Sequence, residues 1–411
     1  MRNIQFITVL LGMFLLIAPM NAIAQFIGFQ INGNIKQTSF KFEMVNNLII
    51  VPVVLNDSLT MNFILDTGVR TTLLTNENLD KLEVNYNRPV TISGLGLIRD
   101  IKAYVASNVT IRLPGITGRG QTLIVLGEDY LNLQSHIGKN VHGVLGYDFI
   151  THFVVKVDYV RKRVTVYDRE HFSPPRGYTE LPVTIATGRP YIEASFAQTD
   201  GSIGKGKFLL DSGASHSILF EIDKGVEVQL PIKTLQTIVG WGLGGEIQGV
   251  LGRVPSFKIG PFELKKVVVS FTSDLKTLAI AGELPRIGSI GGEVLGRFTT
   301  IYDYQGNKLY LKRNHQFRRG FEYNMSGIDV TAGGKEFKTF TISHIAVNSP
   351  AWVAGMKEGD VIVAINGKGA AEFSLEEINA VFRSAAGSWV TIVVMRNQSF
   401  EVFKLRLRRV L

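Results

Sequence analysis

FILDTGVRTT at residues 63–72 and FLLDSGASHS at residues 208–217 are nearly the same ten letters, written twice in one chain of 411 residues. Each places an aspartate, Asp66 or Asp211, directly behind three apolar residues, and the two lie 145 positions apart (211 − 66). A charge at the end of an apolar strand is costly to bury. The repeat reads either as a shared task for two carboxyls or as the trace of a duplicated scaffold.

Other features repeat in the same order. A glycine-rich hairpin follows each aspartate, SGLGLIRD (93–100) or VGWGLGGEIQG (239–249). Next comes a strand closing on glycine, VTIRLPG or PSFKIG. An apolar-apolar-glycine turn then leads into VKVDY or TIYDY; it is Val144-Leu145-Gly146 in the first copy and Val294-Leu295-Gly296 in the second. Asp158 and Asp303 are again 145 apart, although Gly296 stands seven residues before Asp303 and Gly146 twelve before Asp158. The remaining segments are short β-branched and aromatic runs between turn residues, which indicates an all-β region. Glycine, 42 of 411 residues, suits that many turns. HFSPPRG (171–177) and RNHQFRRG (313–320) interrupt the pattern and mark boundaries. The expected organisation is a leader at 1–24, one β lobe at 25–174, a second at 175–315 and a further module at 320–411.

Composition excludes several classes. The net charge of +9 is diffuse, and clusters such as Arg161-Lys162-Arg163 and Arg318-Arg319 read as solvated turns rather than a nucleic-acid surface. With no cysteine there are no disulfides, thiolate nucleophiles or thiolate metal sites. Arg2, the apolar run FITVLLGMFLLIAP and Ala22-Ile23-Ala24 form a secretory signal, too short for a comfortable membrane span. The mature chain is expected to be exported, periplasmic or secreted, with no stable membrane span.

Two adjacent carboxyls can hydrolyse a peptide bond without metal or covalent intermediate. They cannot both ionise easily, so the pair holds one proton. The ionised member takes a proton from water while the protonated member hydrogen-bonds the carbonyl oxygen. Gly68 and Gly213 permit a tight turn beside each carboxyl, and Thr67 and Ser212 carry hydroxyls that can bridge the loops. FILDTG and FLLDSGA, each with a hairpin and a glycine turn, resemble the two lobes of aspartic peptidases of the pepsin and retropepsin type over residues 38–313. The resemblance implies a mainly β fold, two retropepsin-like β-barrel lobes about a pseudo-twofold axis. It places the catalytic dyad Asp66/Asp211 at the seam, supported by Thr67, Gly68, Ser212 and Gly213, with a peptide beneath a flap. Flap candidates are Gly94 and Gly96 in the first hairpin and Trp241, Gly242 and Gly244 in the second. Val69 stands where the family usually has serine or alanine, the first hairpin lacks the flap tyrosine, and which hairpin closes stays open.

Rival constellations are weaker. Gly240, Gly242 and Gly245 spell a dinucleotide fingerprint, but glycine-rich β-like sequence follows rather than a helix. His216 between Ser215 and Ser217 hints at a serine triad without the strand–elbow–helix context. The other histidines lack metal-ligand spacing, so neither metal nor cofactor is expected.

Residues 321–411 differ in texture. Ser374 and Glu377 predict a capping box that starts a helix, with Leu375, Ile378 and Phe382 on one apolar face. VNSPAWVAGMKEGDVIVAINGK (347–368) and this helix resemble a bacterial PDZ domain (α+β). The resemblance implies a peptide groove between a strand and that helix. Its carboxylate loop falls on SGIDV (326–330), with Gly327, Ile328 and Val330 as peptide-binding residues and amides that could form an anion nest. Asp329 opposes a carboxylate there. The sequence thus points to an exported, single-chain aspartic endopeptidase acting as a monomer on peptide or protein, with a PDZ ligand. The competing readings are a peptide-binding scaffold without catalysis, and lobes that pair between two molecules.

Overall fold

The computed structural model describes residues 26–75, 86, 88–92, 100–222, 228–272, 284–409 and 411. The expected leader and the hairpin tip with Gly94 and Gly96 lie outside them.

Two closed rings of six strands carry the doubled sequence. In lobe 1 the ring runs Leu48–Leu55, Leu59–Leu65, Gly143–Leu145, Leu73–Leu74, Ile116–Leu126 and Ile101–Leu113, and the last strand pairs back onto the first. In lobe 2 it runs Arg189–Ala197, Ile203–Leu210, Gly288–Ile290, Ile218–Glu221, Phe262–Thr272 and Gly245–Ile259, and closes the same way. Alternating side chains fill each ring. Met61, Phe63, Ile111, Leu123 and Val125 are buried in lobe 1. In lobe 2 Phe196, Phe208, Phe220, Phe257 and Phe271 pack ring against ring at 4.7–6.4 Å. Ahead of the first ring strand, Gly28–Ile31 pairs with Ile116–Leu126 inside the lobe 1 sheet.

Strand pairing corrects one sequence equivalence. Gly143–Leu145 runs parallel to the strand before Asp66, and Gly288–Ile290 runs parallel to the strand before Asp211. The counterpart of Leu145-Gly146 is therefore Ile290-Gly291. Val294-Leu295-Gly296 belongs to the short helix Gly292–Leu295 that follows. Gly291 stands twelve residues before Asp303, as Gly146 does before Asp158, so the unequal spacing disappears.

A six-stranded sheet ties the lobes together, in the order Thr179–Pro182, Lys308–Arg313, Phe298–Asp303, Val154–Asp158, Arg163–Tyr167 and Gln37–Lys41. At its centre Val154 pairs with Asp303 and Asp158 with Thr299, a register unchanged by a shift of 145 residues. The pseudo-twofold axis passes through this pair of strands. The proline break at 171–177 marks a crossing within a shared sheet rather than a gap between independent bodies.

The C-terminal module is a sheet in the order Ile328–Gly333, Thr339–Ile345, Val361–Ile365, Trp389–Arg396 and Ser399–Arg406, with the helix Leu375–Phe382 beside its first strand. The predicted capping box is present, and Leu375, Ile378 and Phe382 are buried. No helix among the described residues is long and apolar enough to cross a membrane.

Candidate active site

Each aspartate is held at the end of its barrel by one backbone bond. The N–H of Asp66 donates to the Leu145 carbonyl and that of Asp211 to the Ile290 carbonyl, both at 2.9 Å. The amides of Gly68 and Gly213 turn back and donate to Oδ1 of Asp66 (2.6 Å) and Asp211 (3.1 Å). Both glycines are needed for a second reason. A Cβ on Gly213 would lie 2.1 Å from Oδ2 of Asp66, and one on Gly68 would lie 2.9 Å from Cγ of Asp211. Each loop leaves room for the opposite carboxyl, and the two side chains hydrogen-bond each other.

Thr67 and Ser212 lock the loops reciprocally. Ser212 N donates to Thr67 Oγ1 (2.9 Å), which donates to the Leu210 carbonyl (2.7 Å). Thr67 N donates to Ser212 Oγ (3.0 Å), which donates to the Leu65 carbonyl (2.8 Å). Four buried bonds fix the relative position of the carboxyls, and one chain supplies every partner.

Burial, and then the negative charge of Asp211, hold the Asp66 carboxyl well above its ordinary range. Burial also raises Asp211, but the cation of Arg286 opposes the shift. Sequence reasoning missed several residues around the pair. Arg189 Nε donates to the Gly68 carbonyl (2.8 Å), and the Tyr304 hydroxyl donates to the Thr67 carbonyl (3.2 Å). Arg286 is paired with Glu221 at 2.7 Å, and both are buried. Tyr304 could have been found from TIYDY, whereas Arg189 sits in a turn-like TGRPY that looks solvated.

A cavity of about 490 Å³ opens above the carboxyls. Its lobe 1 wall includes Leu48, Ile64, Leu73 and Val144, and its lobe 2 wall Leu209, Leu219, Ser289, His216 and Arg286. The hairpin of lobe 2, Leu235–Gly242 with Gly245–Ile259, forms the roof through residues 238–243. Trp241 stacks on His136 of lobe 1, ring centroids 3.9 Å apart at 27°, so this hairpin spans the cleft. Gly242 lines the cavity and Gly244 lies in the turn. Gly240, Gly242 and Gly245 thus belong to an antiparallel hairpin tip, a geometry with no helix N-terminus to hold a dinucleotide. Burial drives His216 down to about 4, and its Nε2 meets Ser289 Oγ at 3.0 Å rather than a flanking serine. Among the described residues no three acidic or histidine side chains gather around a metal position.

The C-terminal module closes the cavity on one side with Asn324, Asp329, Val330, Asn379 and Arg383. Burial raises the Asp329 carboxyl to about 6, and it hydrogen-bonds Thr237 on the roof hairpin. The expected anion nest is absent from the loop. Amides of Ser326 and Gly327 donate to Asn324 Oδ1 (3.0 and 3.2 Å), and that of Ile328 donates to Ser326 Oγ (3.1 Å). Gly327 and Ile328 therefore offer no free donor, while Val330 does face the cavity. The other end of the groove is filled from lobe 1. Gly138, in the left-handed conformation after the helix Leu133–Ile137, sits where a Cβ would lie 2.9 Å from Leu375 Cβ and 3.5 Å from Ala332 Cβ.

Comparison with protein families agrees with this architecture. A family model described as aspartyl protease matches residues 51–149 and again 197–294, and one described as PDZ domain matches residues 341–396. A comparison with curated proteins gives no match. The chain thus carries two aspartyl protease-like lobes in tandem, followed by a PDZ domain.

Proposed function

We propose that the protein is an exported aspartic endopeptidase in which Asp66 and Asp211 jointly activate water. The observation that carries this reading is the pair of carboxyls in hydrogen-bond contact on loops braced by Thr67 and Ser212. Burial raises both carboxyls, so the pair holds one proton, and the cation of Arg286 favours the ionised form on Asp211, which leaves the proton on Asp66. Asp211 accepts a proton from water as its oxygen attacks the scissile carbonyl, and Asp66 donates a hydrogen bond to the developing oxyanion. When the tetrahedral adduct collapses, the proton gained by the dyad passes to the leaving nitrogen. Arg189 and Tyr304 hold the carbonyls of Gly68 and Thr67, keeping the first loop in place.

The PDZ domain acts as a wall of this cleft. Its groove, filled at one end by Gly138 and open at the other towards the carboxyls, binds part of an extended substrate rather than a free chain terminus. A non-catalytic scaffold would not need two buried carboxyls in contact, which carry a desolvation cost. The test is digestion of a peptide library by mature protein and by Asp66→Asn and Asp211→Asn variants. Either substitution should lower cleavage by about 10²–10⁴-fold, and cleavage that survives both sinks the proposal.

A further inference from the structure

The two lobes match strand for strand in order and pairing, so the difference between their cleft walls is read from side chains at equivalent positions. Gly143 pairs with Leu74 and Val144 with Leu73; Gly288 pairs with Phe220 and Ser289 with Leu219. Next along each strand, Thr75 N donates to the His142 carbonyl, and Glu221 N donates to the Ile287 carbonyl. Val141 and Thr75 of lobe 1 thus occupy the places that Arg286 and Glu221 occupy in lobe 2. The lobe 1 side is a continuous apolar cluster of Leu48, Ile64, Leu73, Val141 and Val144. The same region of lobe 2 holds a buried guanidinium, a buried carboxyl and the Ser289–His216 pair.

Arg286 is 9% exposed and lines the cavity. Glu221 fixes its Nε and so sets the plane of the fork, while Nη1 is buried without a hydrogen-bond acceptor. The hydroxyl of Tyr191, close enough to act on the Arg286 charge, is also buried and without an acceptor. Two buried donors in one neighbourhood, each without an acceptor, cost about 1–3 kcal/mol apiece. Of the two residues Arg286 lines the cavity, and a group that brings an oxygen from there to its Nη1 relieves that donor's cost.

We infer that the lobe 2 side of the cleft is a specificity subsite in which Arg286 recognises a substrate side chain ending in an acceptor oxygen. Glutamate, glutamine, aspartate and asparagine share that chemistry. The pseudo-twofold axis runs between the carboxyls, so residues on opposite sides of the scissile bond face equivalent walls. The lobe 1 wall takes an apolar side chain and the lobe 2 wall takes the oxygen-bearing one. Because Glu221 neutralises the guanidinium, carboxamides should be accepted alongside carboxylates.

This inference rests on the cleft being a peptide site, and its test is independent of catalysis. Positional-scanning octapeptide pools compete for a fluorescent peptide on full-length Asp66→Asn protein, in which the carboxyl pair is disabled. One position should favour pools fixed as Glu, Gln, Asp or Asn over Leu or Lys by at least ~10-fold, and a neighbouring position should favour Leu, Val or Phe. The acceptor preference should vanish when Arg286→Met and Glu221→Leu are added together, a pair chosen so that no buried charge is left alone. The apolar preference at the neighbouring position reports that this variant is folded. Apolar preference at every position, no preference at any, or an acceptor preference that survives the double substitution overturns the inference. Affinity with the stated pattern but no cleavage by the unsubstituted protein would leave the subsite standing and remove the peptidase.

Discussion

Lobe 1 and lobe 2 share one ring of six strands, one aspartate loop and one reciprocal brace, yet they present unlike walls to the cleft they enclose. Lobe 1 is apolar from Leu48 to Val144. Lobe 2 buries the Arg286–Glu221 pair, roofs the cleft with its own hairpin and makes the Asp329–Thr237 contact with the PDZ domain. Duplication explains what is common, because the loops around the carboxyls must match for the side chains to meet. What differs lies a few residues away, where matching is not required for the dyad and side chains are free to serve a substrate that is itself asymmetric.

The largest expected effect comes from making lobe 2 resemble lobe 1 by half. Arg286→Met removes the guanidinium that neutralises the buried Glu221 carboxylate and should destabilise the protein by about 3–5 kcal/mol. Removing both, Arg286→Met with Glu221→Leu, should restore most of that loss. Chemical denaturation of the two variants checks this. Equal losses in both would mean that Arg286 and Glu221 do not compensate each other as an ion pair.

The brace tests what the lobes have in common. Thr67→Val and Ser212→Ala each remove two buried hydrogen bonds and leave an amide of the opposite loop unsatisfied. Each should cost about 2–3 kcal/mol, and the two losses should agree closely. A large inequality would show that the pseudo-symmetry at the seam is not energetic.

A smaller effect probes the contact between the lobe 2 hairpin and the PDZ domain. The Asp329 carboxyl sits at about 6 in the folded protein, against roughly 3.9 in an unfolded chain. The folded state therefore holds this proton more tightly. That contribution is complete below about pH 4 and is lost as the pH rises through about 6. Asp329→Asn keeps a partner for Thr237 and removes the titration. It should be more stable than the parent by about 1–2 kcal/mol at pH 8, a figure reduced because the residue is only half-buried, and no more stable at pH 4. Thermal melts across that range read the difference directly. A constant offset at all pH values would detach Asp329 from the hairpin contact.

Much of this architecture was legible in the letters. The 145-residue offset located both barrels, both aspartates and the hydroxyls that brace them, because those positions tolerate few residue types. The capped helix from Leu375 was equally clear, since Ser374, Glu377 and three apolar residues all demand it. The equivalence of Val294-Leu295-Gly296 with Val144-Leu145-Gly146 failed because an apolar pair before glycine suits a strand end and a short helix alike, and only pairing tells them apart. Arg286 stayed hidden because one arginine among apolar residues looks solvated until its carboxylate is found 65 residues earlier at Glu221. The closed PDZ loop was hidden for a similar reason: Asn324, two residues before the expected nest, satisfies its amides through a turn that spacing does not reveal.

The shared proton can be read from the pH dependence of kcat/KM for one library-derived peptide. A bell-shaped profile is expected, its alkaline limb lying above the ordinary carboxylate range because burial and Asp211 hold the proton on Asp66, and activity collapsing in both Asp66→Asn and Asp211→Asn. A profile that climbs steadily through neutral pH, or one that either asparagine variant retains, would contradict a proton-sharing pair.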